Sequence, residues 1–295
     1  MSASSSDNSA SNVWVNAATL GPEVYAFRNE RNPHGRVIAV LKDAIYIESD
    51  EGHIICIAPG EGVDGPLGMR VLSFESLRSA PQVREEAEVT VSLHALTIGG
   101  TARVMWGYAE PWSPRLPHWI GTSIARLAAI GRLKSFLAET EKGGPSQVAE
   151  KMRPILLDFR QAIHEEDYGL AANAICSLLG LGEGMTPEGD DVAMGLLACA
   201  VWWAKLGKLN VRYVQLLAQV VRVFAAKTTN KISTRLLWHA GEGLLYAPAM
   251  TLGTALLAGE PGEVVEPLQK LLSVGSTTGR AVATGLLYGA CLTMK

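Results

Sequence analysis

A glycine-rich, acidic segment carries the strongest signal for chemistry in this chain, because residues 180–191 read GLGEGMTPEGDD. Gly182 and Gly184 free the backbone for positive φ angles or for close approach to a ligand. Thr186 followed by Pro187 is typical of the N-cap and the first residue of a helix. We therefore predict that a functional loop ends here and that a helix begins.

Three carboxylates, Glu188, Asp190 and Asp191, fall in or near the first turn of that helix, where the helix dipole stabilises negative charge. They oppose a bare phosphate, and no Lys-Ser/Thr pair follows the glycines as in a P-loop. We predict that Asp190 and Asp191 are catalytic and orient an amide N–H, an ammonium group or a divalent cation. We also predict that Glu188, Thr186 and the loop glycines contact the substrate, with backbone N–H groups taking any oxygen anion.

A simpler interpretation of this segment stays open. Thr186 would only cap the helix, the carboxylates would only interact favourably with the helix dipole, and the glycines would only form a tight connection. Against it, the acidic pair enters a long apolar run, Val192–Trp203, so that one of the two carboxylates must lie near the buried face. No cofactor is predicted, although a divalent cation at Asp190 and Asp191 would be compatible with the pattern.

A second polar segment, Lys227–Ser233, lies between two apolar helical stretches. Its hydroxyls on Thr228, Thr229 and Ser233 could donate hydrogen bonds to a carboxylate or phosphate at the wall of a cleft. Capping alone, by Thr229 or Asn230, would also explain it.

A third polar segment, Val274–Arg280, precedes the last apolar helix and lacks acidic residues. We predict that Ser276, Thr277 and Gly279 bind substrate, and that the loop with Arg280 suits an anion. Capping alone again remains an alternative. Three polar helix starts in one helical region predict a shared cleft, because buried helix termini need partners.

The elements that must position these segments indicate an α+β fold. Residues 1–12 are predicted as a disordered tail, 13–112 as a small β-barrel or sandwich, and 117–295 as an α-helical domain. Predicted strands are 37–41, 44–47, 54–57, 88–93, 95–98 and 102–106, with a hairpin turn at 49–52, a tight turn at Gly99-Gly100 and a loop at 65–70. The first predicted helix begins at about residue 117, contains Ile120, Ile124, Leu127 and Ile130 at helical spacing, and ends at the loop 142–146. The next is capped by Ser146 and is kinked or broken at Pro154. Asp167 caps a helix over 168–179, and further helices are predicted over 188–207, 210–226, 231–247, 262–273 and 279–293.

Composition narrows the function classes. Lys and Arg number 26 against 29 Asp and Glu, without a basic stripe, so a nucleic-acid partner is not predicted. The longest uncharged runs, 243–259 and 281–294, are too short to span a bilayer, and residues 1–12 lack the features of a signal or transit peptide. The expected location is cytoplasmic, and the expected ligand is a small molecule.

Metal and thiol chemistry receive little support from the sequence. The four cysteines are scattered, which argues against a zinc ribbon and a disulfide framework. We predict that they are small core residues; a catalytic thiol is the alternative. His53 and His94 are predicted in strands without companions of metal-ligand type, so no metal site is expected there. His239 is predicted as a core or rim histidine.

The three segments together resemble the family of the AllH subunit of oxamate carbamoyltransferase. Residues 180–191 are similar to its pattern G-x-G-x-G-L-T-P-x-x-D-D, while 228–233 and 275–281 correspond to its T-T-x-x-S and G-H-T-S-G-x-D patterns. The resemblance extends from about residue 30 to 290. This chain departs from the late pattern, because Ser276 replaces its His and Ala281 replaces its Asp.

The resemblance implies carbamoyl transfer from carbamoyl phosphate to the amide nitrogen of oxamate, forming oxalurate in purine-nitrogen catabolism, by a subunit that works with two other chains. The predicted function is therefore a subunit of a carbamoyltransferase-like enzyme acting on a small amide or carboxylate. The alternatives are a non-catalytic subunit that binds a metabolite or supports assembly, and a metal-assisted hydrolase of small amides. Loss of turnover in Asp190→Asn, with binding and assembly intact, would favour the enzyme.

Overall fold

A computed structural model describes residues 12–140 and 147–294 of the chain. Strands fill the N-terminal part and helices the C-terminal part, which confirms the α+β fold class. The chain divides into two compact units, Met1–Ser113 and Pro114–Lys295. In the described residues, no helix combines the length and the apolar composition that crossing a membrane requires.

The first unit is a closed β-barrel. Its strands are β1 (Val13–Leu20), β2 (His34–Val40), β3 (Ile45–Ser49), β4 (Ile54–Pro59), β5 (Gly68–Val71), β6 (Glu88–Val91), β7 (Ala95–Ile98) and β8 (Ala102–Met105), with a two-residue β9 (Glu110–Pro111) beside β1. The order around the ring is β5, β4, β3, β2, β6, β7, β8, β1, and β1 pairs back onto β5. Of the two predicted architectures, the structure therefore has the barrel, which leaves no free sheet edge within the ring.

Local sequence explains the hairpins of the barrel. In β3, Ile45 and Ile47 face the core while the residues between them are partly exposed, as period-two alternation requires. The turn from β3 to β4 contains Gly52 at φ +87°, and the turn from β7 to β8 contains Gly99 and Gly100 at φ +56° and +77°. Both predicted turns are confirmed, and the barrel is completed by two short helices, α1 (Pro22–Arg28) and α2 (Phe74–Arg78).

The second unit is a helical bundle built around one central helix. Its helices are α3 (Ser123–Glu139), α4 (Gln147–His164), α5 (Tyr168–Leu178), α6 (Glu188–Lys205), α7 (Val211–Thr228), α8 (Lys231–Ala240), α9 (Ala247–Ala258), α10 (Val265–Leu272) and α11 (Thr278–Ala290). Helix α6 packs against α5, α7, α8 and α11 and is buried on nearly every side. A helix that is apolar all round belongs in a core, and α6 carries the acidic pair at its start.

Helices α6 and α11 approach each other closely enough that only glycine fits at their contact. A Cβ atom on Gly195 would lie 2.4 Å from the carbonyl oxygen of Val282, and one on Gly285 would lie 2.2 Å from that of Val192. This backbone-to-backbone contact fixes the start of α11 relative to the start of α6. It thereby positions Thr278 for the site described below.

Some predicted elements are wrong in detail. The predicted loop at 65–70 ends early, because β5 begins at Gly68 and pairs in parallel with β4. The predicted helix 231–247 ends at Ala240, and a separate helix, α9, begins at Ala247. Helix α4 continues through Pro154 without a break, since burial of its apolar face offsets the missing hydrogen bond. The predicted cap Ser146 lies outside the described residues.

Candidate functional site

The glycine loop before α6 depends on glycine at two positions for its packing. Gly180 and Gly182 have φ angles of +78° and +107°, a region that other residues rarely adopt. A Cβ atom on Gly180 would lie 2.8 Å from the carbonyl oxygen of Thr228, and one on Gly182 would lie 2.8 Å from the amide nitrogen of Glu188. The loop therefore folds tightly onto the start of α6 and the end of α7.

The start of α6 differs from the predicted cap. Helix α6 begins at Glu188 with Pro187 as its N-cap, and no side chain caps it. The prediction that Thr186 caps the helix is therefore wrong. The hydroxyl of Thr186 instead forms a hydrogen bond of 2.8 Å with the hydroxyl of Thr278, which joins the glycine loop to the start of α11.

Asp190 is a buried carboxylate whose two oxygens both accept hydrogen bonds from the protein. Its Oδ1 accepts from the backbone N–H of Gly180 at 2.8 Å, and its Oδ2 accepts from the hydroxyl of Thr229. Burial raises the pKa of Asp190, while hydrogen bonding from Thr229, Gly180 and Ser233 lowers it in part. Asp190 thus joins the glycine loop, α6 and the α7–α8 connection, and the N–H of Gly180 is already engaged rather than free for an anion.

Asp191 is equally buried but lacks such partners. It is 0 % exposed, and neither carboxylate oxygen accepts a hydrogen bond of ordinary geometry from the described residues. Burial raises the pKa of Asp191 well above its ordinary value; the nearby hydroxyls of Thr278 and Thr186 lower it, and the charges of Asp190 and Glu188 raise it further. Buried polar groups are nearly always well satisfied, so a carboxylate with only poorly aligned hydroxyl neighbours indicates a group kept for a ligand.

Only some of the polar residues around the α7–α8 connection contact this site. Thr229 donates to Asp190, and the buried hydroxyl of Ser233 also interacts with Asp190, although outside ordinary hydrogen-bond geometry. Asn230 caps α8 through the N–H of Ser233 at 3.0 Å and donates to the carbonyl of Met185 at 2.9 Å, so the predicted cap is confirmed at Asn230. Thr228 is exposed and donates back to its own helix at Phe224.

The late segment brings a different residue to the site than predicted. Thr278, at the first position of α11, is buried and contacts Thr186, whereas Ser276 and Thr277 are exposed. Arg280 does not serve an anion, because its guanidinium donates to the carbonyl of Leu137 at 2.9 Å and to the hydroxyl of Thr140 at 2.8 Å. Those acceptors lie at the C-terminal end of α3, where a cation is favourable.

The three polar segments therefore meet at the start of α6. Asp190 links the first segment to the second through Thr229, and Thr186 links the first to the third through Thr278. The predicted residues Gly182 and Gly184 lie exposed on the loop above, Glu188 is half-buried, and Gly279 is buried against the Leu271 carbonyl. The sequence analysis did not select Thr278 as a site residue, although it is a polar residue directly at a helix start.

Histidines and cysteines follow the predictions only in part. His239 is buried in α8, as predicted, and the four cysteines are free. Burial raises the pKa of the Cys56 thiol to about 11, and burial also raises the pKa of Cys176, Cys199 and Cys291, which gives no support to a reactive thiolate. The prediction that His53 lacks companions is wrong, because its ring lies 2.9 Å from Glu23.

The part of the chain that contains the three polar segments is similar to one described family. Residues 178–290 match the model of the family described as oxamate carbamoyltransferase subunit AllH. The match runs from the last residue of α5 to the last residue of α11, and it contains all three polar segments. It confirms the resemblance for that part of the chain, while residues 30–177 lie outside it. No curated protein and no solved structure matches the chain significantly.

Proposed function

We propose that this chain is a subunit of a carbamoyltransferase-like enzyme that acts with carbamoyl phosphate on a small amide or carboxylate such as oxamate, in purine-nitrogen catabolism. The observation that carries the proposal is the family match over 178–290, since the matched residues include the buried, poorly satisfied carboxylate of Asp191. Fold alone would not support a reaction, whereas a buried carboxylate beside two hydroxyls is a site with its own chemistry.

In this proposal Asp191 accepts the proton that the attacking nitrogen loses. The nitrogen of the acceptor amide forms a bond to the carbonyl carbon of carbamoyl phosphate, the bond from that carbon to the phosphate oxygen breaks, and inorganic phosphate leaves. A carboxylate with a raised pKa is a stronger base than an exposed one, which suits this step. One hydroxyl of the Thr186–Thr278 pair donates to the other, and in this proposal the remaining O–H donates to the oxygen on which negative charge develops.

The charge of the site favours a contribution from another chain. Asp190, Asp191 and Glu188 oppose the phosphate of carbamoyl phosphate, and Arg280 is engaged at the end of α3. Binding a dianion here requires cationic groups from elsewhere. We place these groups on a partner subunit, in accord with the word "subunit" in the family description.

One exposed helix face provides a surface for such a partner. On α7, Leu216, Val220 and Val223 are 56 %, 44 % and 62 % exposed and recur at helical spacing. Contiguous exposed apolar surface of this kind is typical of an interface. In the proposed assembly, this α7 face packs against a partner subunit.

Replacing Leu216 and Val220 together by glutamate is expected to abolish recovery of partner chains while leaving the melting temperature of the isolated chain within about 2 °C, because both side chains are already about half exposed. Co-purification of the tagged protein from its native cells, followed by mass spectrometry, measures the first effect. The matched control is Leu157→Glu, a leucine 50 % exposed on α4. Unchanged recovery with the double variant would exclude the α7 face as the interface.

The proposed reaction is tested on the assembled complex. Chains recovered with the tagged protein are reconstituted, and release of phosphate and formation of the carbamoylated amide are measured with carbamoyl phosphate and oxamate. Product formation that depends on this chain supports the proposal. A chain that is recovered alone, or a complex that turns over neither oxamate nor a related small amide, contradicts it.

A non-catalytic role in the same assembly is the second candidate. It is favoured by Ala281, which is buried in the first turns of α11 at the place where the resembling pattern has Asp. This chain thus has one carboxylate fewer near the start of α11. Turnover by a complex whose Asp191 has been replaced would favour this candidate over the catalytic one.

A further inference from the structure

The barrel unit contains a second cluster of titratable side chains, outside the residues that match the family. Glu23 lies in the first turn of α1 and Glu30 two residues beyond its end. Glu51 and His53 belong to the turn between β3 and β4. These four side chains are separated by up to thirty positions along the chain, so only the closure of the fold brings them together.

The ring of His53 is held in a defined orientation by Glu23. Its Nδ1 lies 2.9 Å from Oε2 of Glu23, which also accepts from the backbone N–H of Ile54 at 3.3 Å. The Glu23 side chain is 3 % exposed. A carboxylate on one ring nitrogen is the usual way in which proteins fix a histidine that binds a metal through the other nitrogen.

The ring of His53 also lies near the carboxylates of Glu30 and Glu51. Its Nε2 lies 3.9 Å from Oε1 of Glu30. Ligand atoms of Glu30, Glu51 and His53 all lie within 4.8 Å of one another. Ligands of one tetrahedral metal ion at bond lengths near 2.1 Å lie roughly 3.4 Å apart, so modest side-chain adjustments suffice to surround an ion.

Glu30 supplies the independent sign that something is bound. Its side chain is 1 % exposed; Oε1 accepts from the hydroxyl of Ser49 at 2.5 Å, while Oε2 is buried without a hydrogen-bond partner among the described residues. Burial raises the pKa of Glu30, the Ser49 hydrogen bond lowers it, and among charged neighbours Glu51 and Asp50 raise it while His53 lowers it. No lysine or arginine is among these neighbours, so a buried carboxylate stands in negative surroundings, where a cation is favourable.

We propose that Glu30, Glu51 and His53 bind one divalent transition-metal ion, with Glu23 orienting the histidine. One imidazole nitrogen and two carboxylates are ligands suited to zinc, manganese, iron or cobalt, whereas calcium and magnesium prefer oxygen alone. Three protein ligands leave at least one position for water. The site is independent of the proposed carbamoyl transfer.

The test is zinc binding to the full chain, measured by titration calorimetry and by metal content after dialysis. The wild-type chain is expected to bind one zinc ion, with magnesium and calcium at least 10-fold weaker. Glu51→Gln, at an exposed turn position, is expected to weaken zinc binding at least 10-fold without altering the fold, and Glu30→Gln is expected to abolish it. Glu88→Gln is the matched control, because Glu88 lies 3.7 Å from His34 in an exposed pair of the same barrel.

Thermal melting supplies a readout that does not depend on titration of zinc alone. Zinc is expected to raise the melting temperature of the wild-type chain and of Glu88→Gln, but not of Glu51→Gln, since a ligand bound only by the folded state stabilises that state. Absence of stoichiometric zinc in the wild-type chain would overturn the proposal. Equal zinc affinity in wild type, Glu51→Gln and Glu30→Gln would also overturn it and would locate the ion elsewhere.

Discussion

Asp191→Asn is expected to stabilise the folded chain at neutral pH by about 1–3 kcal/mol, which is the usual penalty for a buried polar group whose hydrogen bonding is poorly satisfied. Folding withdraws the wild-type carboxylate from water without giving it a hydrogen bond of ordinary geometry. An asparagine of the same shape carries no charge, and the hydroxyls of Thr186 and Thr278 can serve its amide. Urea unfolding of the isolated chain at pH 7 measures the difference in the free energy of unfolding.

The same substitution is expected to lower turnover of the reconstituted complex by about 10²- to 10⁴-fold, the range over which removal of a general base acts. If replacing a residue stabilises the fold but abolishes activity, that residue has been kept for a ligand rather than for the fold. A loss of stability in Asp191→Asn would instead make Asp191 a structural residue. Unchanged turnover would remove it from the proposed reaction.

The pH dependence of stability tests the same carboxylate. Because burial raises the pKa of Asp191 above 3.8, the folded chain holds a proton that the unfolded chain releases once the pH exceeds about 4. The free energy of unfolding is therefore highest below pH 4 for this group and falls as the pH rises through the folded-state pKa. Urea unfolding at several pH values should show a smaller decline in Asp191→Asn, with a remainder from Asp190, whose pKa is raised as well.

Asp190 is expected to behave in the opposite way. Asp190→Ala should destabilise the chain by about 2–4 kcal/mol, because the N–H of Gly180 and the hydroxyl of Thr229 would both lose their acceptor inside the protein. Asp190→Asn should cost less than about 1 kcal/mol, since its amide oxygen can accept from Gly180 while the Thr229 oxygen accepts from its nitrogen. Urea unfolding compares the two variants.

The control for this pair is Glu183→Ala, which removes an exposed carboxylate from the same loop and should leave stability within about 0.5 kcal/mol of the wild type. If Asp190→Asn is as unstable as Asp190→Ala, the charge of Asp190, and not its hydrogen bonds, is what the loop requires. In that case the charges of Asp190 and Asp191 would have to be considered together, rather than one residue at a time.

The contrast between these neighbours marks the limit of what the sequence could reveal about the site. Glycines, Thr-Pro and two aspartates at a helix start were enough to predict a candidate site at this place in the sequence. Successive residues on a helix point about 100° apart, so Asp190 and Asp191 face different neighbours. Which of them meets Thr229 and which meets Thr278 depends on how α8 and α11 pack, and that information lies 40 to 90 positions away along the chain.

The fold shows the same division between local and distant information. Alternating strands and their hairpins were predictable, because the pattern and the turn glycines lie within a few residues of each other. Strands β1 and β5 were not predictable from the sequence, because they pair in parallel or with partners that are distant along the chain. The His53 cluster was missed for the same reason. In α3, Ile124 and Leu127 have the spacing of a buried face but are 82 % and 57 % exposed, which periodicity alone could not foresee.

The closing strand of the barrel also determines the order in which the barrel can fold. Strand β1 can pair with β5 once the chain has been synthesised through Val71, but its pairing with β8, which closes the ring, must wait until Met105. The hairpins β2–β3, β3–β4, β6–β7 and β7–β8 join neighbours and can form as they emerge. Ring closure is therefore a late event of high contact order, and until it occurs the growing sheet exposes two unpaired edges to other nascent chains.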